Sequence, residues 1–186
     1  RGLVVVASTI VINGRNIQYE SKLLDIHEIE YYLENPRINY IISQYSAEEV
    51  TPKLIEKTLL SLDSTRELED DILQNGGLLE PIVVLNNKVI EGNTRLCCYR
   101  RLYERFGDKW KLIKANEIKD SLSTEEIFAI LSNYHIKGKK KWDLYEKAAY
   151  INKMVSEGRP IEEVAKTIGS TKPKVEDMLK AYGVMK

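Results

Sequence analysis

The chain has 186 residues, of which 43% are apolar and 30% are charged, enough for one domain with a small appendage and a core that needs no disulfides. Lys and Arg number 28, as do Asp and Glu, so a whole-molecule basic field is excluded and a nucleic-acid site must be a local patch. No run approaches the roughly 18 apolar residues of a membrane span, so we expect a soluble cytoplasmic protein without a membrane partner.

The first element is a predicted β-hairpin. Residues 3–12 are rich in β-branched side chains, and Asn13-Gly14 follows directly. Both central residues of a tight hairpin turn need positive φ, which Asn and Gly tolerate. We expect the returning strand over residues 15–24.

Proline, serine and glycine mark the next elements. The residue before a proline is biased away from helix, so we expect a turn or an extended segment at Asn35-Pro36-Arg37. Pro52 suits the first turn of a helix over 52–62. Ser64 and Glu67 fit a capping box for a further helix, which Asn75-Gly76-Gly77 ends.

The middle of the chain alternates between strands and helices. We expect short strands at 81–85 and 89–91, a helix from Gly92 to about residue 106, a strand over 110–115 and a helix over 123–134 with a Ser/Thr cap. The fold class is therefore α/β (α+β), with a mixed sheet, helices and an N-terminal β-hairpin.

The C-terminal part contains helices without strands. It follows the basic run at 138–141, so we place a boundary near 137–143. The predicted division is an N-terminal hairpin and Asn-Pro-Arg segment at 1–45, a core at 46–137, and a helical module at 138–186.

A candidate phosphate site lies where a strand runs into Gly92-Asn93-Thr94-Arg95 and a helix begins. The free backbone N–H groups and the positive helix end point at one spot, and Arg95 adds several donors. The alternative is a tight β–α turn in which Arg95 pairs with a nearby carboxylate.

Residues 161–182 have the spacing of a helix-turn-helix. Ala165 is small where two helices approach, Gly169 suits a left-handed turn, and Val175 falls at a core position. The outer face of the second helix carries a set of side chains that we expect to contact DNA, although Glu176 and Asp177 would repel phosphate. That set comprises Thr171, Lys172, Lys174 and Lys180. The alternative is a purely structural or protein-contact bundle.

Several blocks together carry a family resemblance. GGLLEPIVV (76–84), VIEGNTRL (89–96) and the basic helix that follows resemble the N-terminal domain of the ParB/sulfiredoxin superfamily. The Asn35-Pro36-Arg37 segment and residues 131–148 are similar to its outer motifs. The usual Gly-Glu-Arg-Arg is Gly92-Asn93-Thr94-Arg95 here, so the resemblance leaves the nucleotide open.

The resemblance implies binding, and often slow hydrolysis, of a nucleoside triphosphate, CTP or ATP, with Mg²⁺. It would place phosphates at Gly92, Asn93, Thr94 and Arg95, and the base and ribose beside Gly77, Leu79 and Pro81. The third motif would contribute Asn133 to phosphate or metal. Its closing arginine is replaced by Ile136 here, with Lys137, Lys139, Lys140 and Lys141 available as substitutes, and His135 is a further candidate nucleotide ligand.

Glu80 stands where ParB proteins commonly have glutamine. A carboxylate beside phosphates could orient a water or coordinate magnesium, so Glu80 is the candidate catalytic and metal-binding residue. The alternative is a solvated acidic residue before a proline. His135 as a general base is likewise weighed against an ordinary hydrogen-bonding histidine.

The sulfiredoxin activity is rejected by position, because its catalytic cysteine would fall on Asn93. Cys97 and Cys98 lie within the following helix, where cysteine packs as a small hydrophobe. ParB proteins carry a helix-turn-helix after the nucleotide domain and a dimerisation domain after that. DNA is therefore an expected partner, and the resemblance leaves open both a homodimer and a longer protein of which this sequence is a fragment.

Together these features predict a DNA-associated, nucleotide-dependent switch. A ParB-like enzyme, such as a nuclease or phosphotransferase, and a nucleotide-independent DNA-binding or adaptor protein are the two alternatives.

Overall fold

The computed structural model describes residues 5–135 and 144–185. The chain divides into two compact units, Arg1–Ser121 and Leu122–Lys186. The boundaries expected from the sequence, after residues 45 and 137, remain predictions. The basic run at 138–141 lies outside the described residues.

The first unit contains a six-stranded sheet in the order β1-β2-β6-β4-β5-β3. Strand β4 pairs in parallel with β6, and β3 in parallel with β5, whereas the other pairs are antiparallel. The expected mixed α/β fold is thereby confirmed. The strands are β1 Val6–Ile12, β2 Arg15–Asp25, β3 Glu30–Tyr31, β4 Ile82–Leu85, β5 Lys88–Glu91 and β6 Leu112–Ile118.

The N-terminal hairpin forms as predicted. Asn13 and Gly14 have φ of 49° and 78°, the conformation that a tight turn between twisted strands requires. Residue Ile12 pairs with Arg15 directly across the turn, and the register continues to Val6 opposite Ser21.

Four α-helices pack with this sheet in the first unit. They are α1 Pro36–Ile42, α2 Pro52–Leu60, α3 Asp63–Asn75 and α4 Asn93–Phe106. Gly76 ends α3 in the left-handed conformation with φ of 71°, as expected.

Two expectations about helix starts were wrong. Asn35 is extended, with ψ of 130°, but helix α1 begins at the very next residue, because the fixed φ of proline suits the first helical position. Helix α3 begins at Asp63, with Leu62 as its N-cap and no side-chain capping bond. Ser64 therefore lies inside the helix and forms no capping box with Glu67.

The start of the last strand also differs from the expectation. Trp110 lies in a short 3-10 helix, Asp108–Trp110, and β6 begins at Leu112. The buried Trp110 ring packs edge-on against Tyr99, with 5.4 Å between centroids. The indole thus fills the core beside helix α4 instead of adding a residue to the sheet.

The second unit consists of helices α5 Thr124–His135, α6 Leu144–Ser156, α7 Ile161–Thr167 and α8 Lys172–Met185. Ser123 and Glu126 form a reciprocal capping box, which confirms the predicted Ser/Thr cap on α5. Gly169 has φ of 70° in the turn between α7 and α8. The residues that pack between the helices include Phe128, Tyr150, Ile151, Val164, Ala165, Ile168 and Val175.

Within the described ranges, no helix is both long and apolar enough to cross a membrane.

Candidate functional site

The candidate site is the junction between strand β5 and helix α4. Gly92 is the N-cap of α4 with φ of 104°, and the first helical hydrogen bond runs from the Leu96 N–H to the Gly92 carbonyl at 3.0 Å. The backbone N–H groups of Asn93, Thr94 and Arg95 precede that bond, so they have no acceptor within the helix. The helix N-terminus therefore offers donors and a partial positive charge to an anion.

The Gly92 position is fixed by packing. A Cβ atom built there would lie 2.4 Å from Ile82 Cγ2 and 3.2 Å from Arg95 Nη2. The neighbouring strand β4 thus occupies the space that a side chain would need, in addition to the strain of a positive φ. Glycine at 92 is required by the fold itself, whether or not a ligand approaches.

Arg95 is 6% exposed and points back into the first unit. Its Nη1 donates to the Glu80 carbonyl at 2.8 Å and to the Pro81 carbonyl at 3.0 Å, and its Nη2 pairs with the Glu91 carboxylate. Its Nε is buried without a hydrogen-bond partner. The pairing with a nearby carboxylate is therefore what the structure shows, and contact of Arg95 with phosphate remains a prediction.

Asn93 is also engaged by its surroundings. Its Nδ2 donates to the Val89 carbonyl at 2.8 Å, and its Oδ1 accepts from the Tyr32 N–H at 3.2 Å. The side chain is 4% exposed. Asn93 thus ties the start of helix α4 to strand β5 and to the segment before helix α1. Thr94 lies between these two engaged residues and is half-buried.

Asn35 makes a second connection to the same junction. Its Nδ2 donates to the Ile90 carbonyl at 2.9 Å, and its Oδ1 accepts from the Arg37 N–H at 3.1 Å. The Asn-Pro-Arg segment therefore lies against the end of strand β5, which is close in sequence to Gly92. This segment was recognised in the sequence, but Arg37 was not among the predicted site residues. Its Nε is buried and has no partner.

The segment between helix α3 and strand β4 forms the other border of the junction. Leu78 is buried, and its N–H donates to the Tyr99 hydroxyl at 3.2 Å, directly beside Gly77. Leu79 is 84% exposed, and the Glu80 side chain is exposed as well. Arg95 holds this segment through the Glu80 and Pro81 carbonyls, so Glu80 and Pro81 are brought beside the start of α4. Gly77 lies nearer to Tyr99, further along the same helix.

The remaining predicted ligands belong to the second unit or lie outside the described residues. Asn133 is exposed on helix α5. The side chain of His135, together with Lys139 and Lys140, is outside the described part of the chain. Among residues that the structure describes, no group of three or more His, Cys, Asp or Glu side chains could hold a metal ion. The magnesium roles of Glu80 and Asn133 therefore remain predictions.

The adjacent cysteines are core residues. Cys97 and Cys98 are both buried, and Cys98 Sγ lies 3.6 Å from the Thr65 carbonyl oxygen. Burial raises the pKa of the Cys97 thiol well above its ordinary value, which disfavours the nucleophilic thiolate. The expectation that both cysteines pack as hydrophobes agrees with these surroundings.

The predicted DNA-contacting side chains, Thr171, Lys172, Lys174 and Lys180, are all exposed at helix α8. Lys172 already has a partner, because its Nζ lies 3.0 Å from Glu162 Oε1 on helix α7. That hydrogen bond raises the pKa of Lys172 and lowers the pKa of Glu162. A phosphate would have to compete with Glu162 for this ammonium group.

Comparison with known proteins identifies the fold. No model of a known protein family matches the chain, and no curated protein does. A solved Pnob8-like ParB-N domain matches with a TM-score of 0.50 and 18% identity, covering 82% of this chain and 48% of that one. The C-terminally truncated chromosome-partitioning protein ParB from Caulobacter crescentus, complexed to the centromeric parS site, matches with a TM-score of 0.48 and 16% identity, covering 85% and 70%.

The chain therefore has a ParB-N-like fold, as the sequence resemblance implied. It spans about half the length of the first of these two structures.

Proposed function

We propose that this protein is a ParB-like, DNA-associated nucleotide-binding protein that acts as a switch dependent on CTP or ATP. The observation that carries the proposal is the β5–Gly92–α4 junction, where a helix begins at a glycine with its first N–H groups outside the helical bonding pattern. Such a junction binds the phosphates of nucleotides in several unrelated folds. The ParB-N-like fold supports the same assignment.

In this proposal the triphosphate is held mainly by the backbone. The N–H groups of Asn93, Thr94 and Arg95 would donate to phosphate oxygens, and the Thr94 hydroxyl would add a further donor. The Arg95 guanidinium would contribute positive charge, although part of that charge is balanced by Glu91. Arg37, whose Nε is without a partner, would supply a second cation from the Asn-Pro-Arg segment.

The base and ribose would lie along the segment from Gly77 to Pro81. Leu79 exposes an apolar side chain there, which a base could cover. Magnesium would bind the phosphates and the exposed Glu80 carboxylate. Glu80 would also orient the water that attacks the terminal phosphate during a slow hydrolysis.

The DNA-binding part of the proposal concerns helix α8. Thr171, Lys172, Lys174 and Lys180 would contact the duplex, and the neutral net charge of the chain predicts weak, salt-sensitive binding. Nucleotide binding at the first unit would alter this binding, which is what makes the protein a switch.

A calorimetric titration with CTP, ATP, GTP and ADP, each with magnesium, tests the proposal. We expect one triphosphate to bind more tightly than the others and more tightly than the diphosphate. Absence of heat with all four nucleotides, and of any effect of them on duplex binding, would contradict a nucleotide-dependent switch.

One observation favours a second candidate, a nucleotide-independent DNA-binding or adaptor protein. The side chains of Asn93 and Arg95 both have internal hydrogen-bond partners, so the junction is stable without a ligand. In that case the same titration shows no binding, while the duplex binding of helix α8 is unaffected by nucleotide.

A further inference from the structure

Strand β1 is an edge of the sheet and pairs with β2 on one side. Its seven residues contain no charge and no proline, the features with which natural proteins usually protect an edge from other strands. Its register with β2 runs continuously from Val6 to Ile12. Three of its apolar side chains are exposed, with Val6 at 53%, Ile10 at 39% and Val11 at 65%.

The free edge of β1 presents the backbone groups of Thr9. Thr9 lies opposite Gln18 of β2. The Gln18 N–H donates to Asp120 Oδ2 at 2.6 Å, and the Gln18 carbonyl accepts from the Lys119 N–H at 3.0 Å. Both backbone groups of Gln18 therefore face away from β1. In an antiparallel pair, opposite residues either exchange both bonds or neither, so the Thr9 N–H and carbonyl also face outward. Ala7 and Val11 follow the same alternation.

We propose that this edge pairs with the β1 edge of a second copy of the chain, as antiparallel strands related by a two-fold axis through Thr9. Complete overlap of residues 6–12 with their symmetry mates places Thr9 opposite Thr9. Ala7 then lies opposite Val11, and these residues exchange N–H and carbonyl bonds across the axis. The two sheets become one continuous sheet.

The side chains of the strand favour a second copy as the occupant, because they match their own symmetry mates in this register. Residues 2–14 contain no charged side chain, so two such strands meet without repulsion and without burying a charge. The contacts across the axis are Thr with Thr and aliphatic with aliphatic, which stabilise antiparallel pairs. A charged peptide would find no counter-charge on this strand. The inference does not depend on the nucleotide or DNA site.

Sedimentation analysis of the full chain over a range of concentrations tests the pairing. Wild-type protein should dimerise. Thr9→Lys places two like charges opposite each other on the axis and should raise the dimer dissociation constant at least about tenfold. Thr9→Val, which keeps the strand uncharged, is the matched control and should dimerise like the wild type. Because Thr9 is exposed, the melting temperatures of all three proteins should agree closely at concentrations low enough for each to be monomeric.

The register is tested by cysteine crosslinking under mild oxidation, since the native cysteines are buried. Thr9→Cys should form an intermolecular disulfide, because opposite residues that exchange bonds have Cα atoms about 5.5 Å apart. Val11→Cys alone should not, whereas Ala7→Cys combined with Val11→Cys should. A wild-type monomer up to about 1 mM, an undiminished dimer in Thr9→Lys, or equal crosslinking of Val11→Cys and Thr9→Cys would overturn the proposal.

Discussion

The Glu91 carboxylate at the end of strand β5 pairs with the Arg95 guanidinium in the first turn of helix α4, and both side chains are buried. Through the same guanidinium, Arg95 also holds the Glu80 and Pro81 carbonyls. Arg95 and its ion pair therefore join the end of β5, the start of α4 and the segment that contains Glu80 and Pro81.

Breaking this pair should destabilise the protein strongly. Glu91→Ala leaves a buried guanidinium without its counter-charge, which typically costs about 3–5 kcal/mol of unfolding free energy. Urea denaturation measures the loss, and Glu80→Ala, at an exposed carboxylate, should change stability by less than about 0.5 kcal/mol. Replacing both partners by apolar residues, as in Glu91→Leu with Arg95→Met, should recover much of the loss. A fully stable Glu91→Ala variant would show that the pair does not hold the junction.

Asn35→Asp separates the two roles of the Asn35 amide. The new carboxylate can still accept the Arg37 N–H and cap helix α1, but it can no longer donate to the Ile90 carbonyl. We expect a loss of about 1–3 kcal/mol at neutral pH, as for a buried acceptor left without its donor.

The pH dependence of Asn35→Asp has a definite sign. Burial beside a carbonyl raises the pKa of the new carboxyl in the folded state above its unfolded value. Its protonated form can donate again, so the deficit relative to wild type should shrink as the pH falls through that folded pKa and grow as the pH rises. Chemical denaturation at several pH values measures this difference. A deficit that does not vary with pH would mean that the donor to Ile90 is unimportant.

Gly92→Ala should cost more than glycine conformation alone explains. Its Cβ would lie 2.4 Å from Ile82 Cγ2 at a φ of 104°, so strain and overpacking combine to about 2–4 kcal/mol. Gly76→Ala is the matched control, because Gly76 also has positive φ but no atom within 4 Å of the added Cβ. It should cost about 1 kcal/mol. Equal thermal shifts in the two variants would contradict the close packing of Gly92 on strand β4.

Duplex binding by helix α8 should be limited by acidic neighbours. Glu162 holds Lys172 at 3.0 Å, and Glu176 and Asp177 are further carboxylates at the same helix. Glu162→Gln should strengthen binding by releasing Lys172, and Glu176→Gln with Asp177→Asn should strengthen it further. Anisotropy titrations at two salt concentrations measure both effects. If neither the wild type nor the neutralised variants show salt-sensitive binding, this face of α8 is structural.

Local signals in the sequence were sufficient for much of the fold. The turn at Asn13-Gly14, the left-handed Gly76 and the capping box of Ser123 and Glu126 depend on neighbouring residues alone, and each was predictable. The expectations at Ser64 and Trp110 failed, and for Trp110 the cause is tertiary packing in the core. Helix α3 starts at Asp63, two residues earlier than a cap at Ser64 would place it, so Ser64 is internal. The Trp110 ring packs in the core beside Tyr99 instead of lying in the sheet.

The candidate site was predictable as a place but not as a set of contacts. The strand, glycine and helix pattern located the junction at Gly92. The partners of Arg95 and Asn93 come from Glu80, Pro81 and Tyr32, whose approach depends on the packed fold. For the same reason, the unpartnered Nε of Arg37 could not be anticipated from its Asn-Pro-Arg motif.

Thr94→Glu gives the most direct test of triphosphate binding at the start of helix α4. A carboxylate in the first helical turn favours the helix N-terminus by about 0.3–1 kcal/mol but repels a phosphate at the same place. Calorimetry with CTP and with ATP, each with magnesium, should show binding to the wild type and only moderately weaker binding to Thr94→Gln, which loses the hydroxyl donor but adds no charge. Binding to Thr94→Glu should be at least about tenfold weaker, with an unchanged or higher melting temperature. Equal affinity of Thr94→Glu and wild type, or no triphosphate binding by the wild type, would contradict the proposed site.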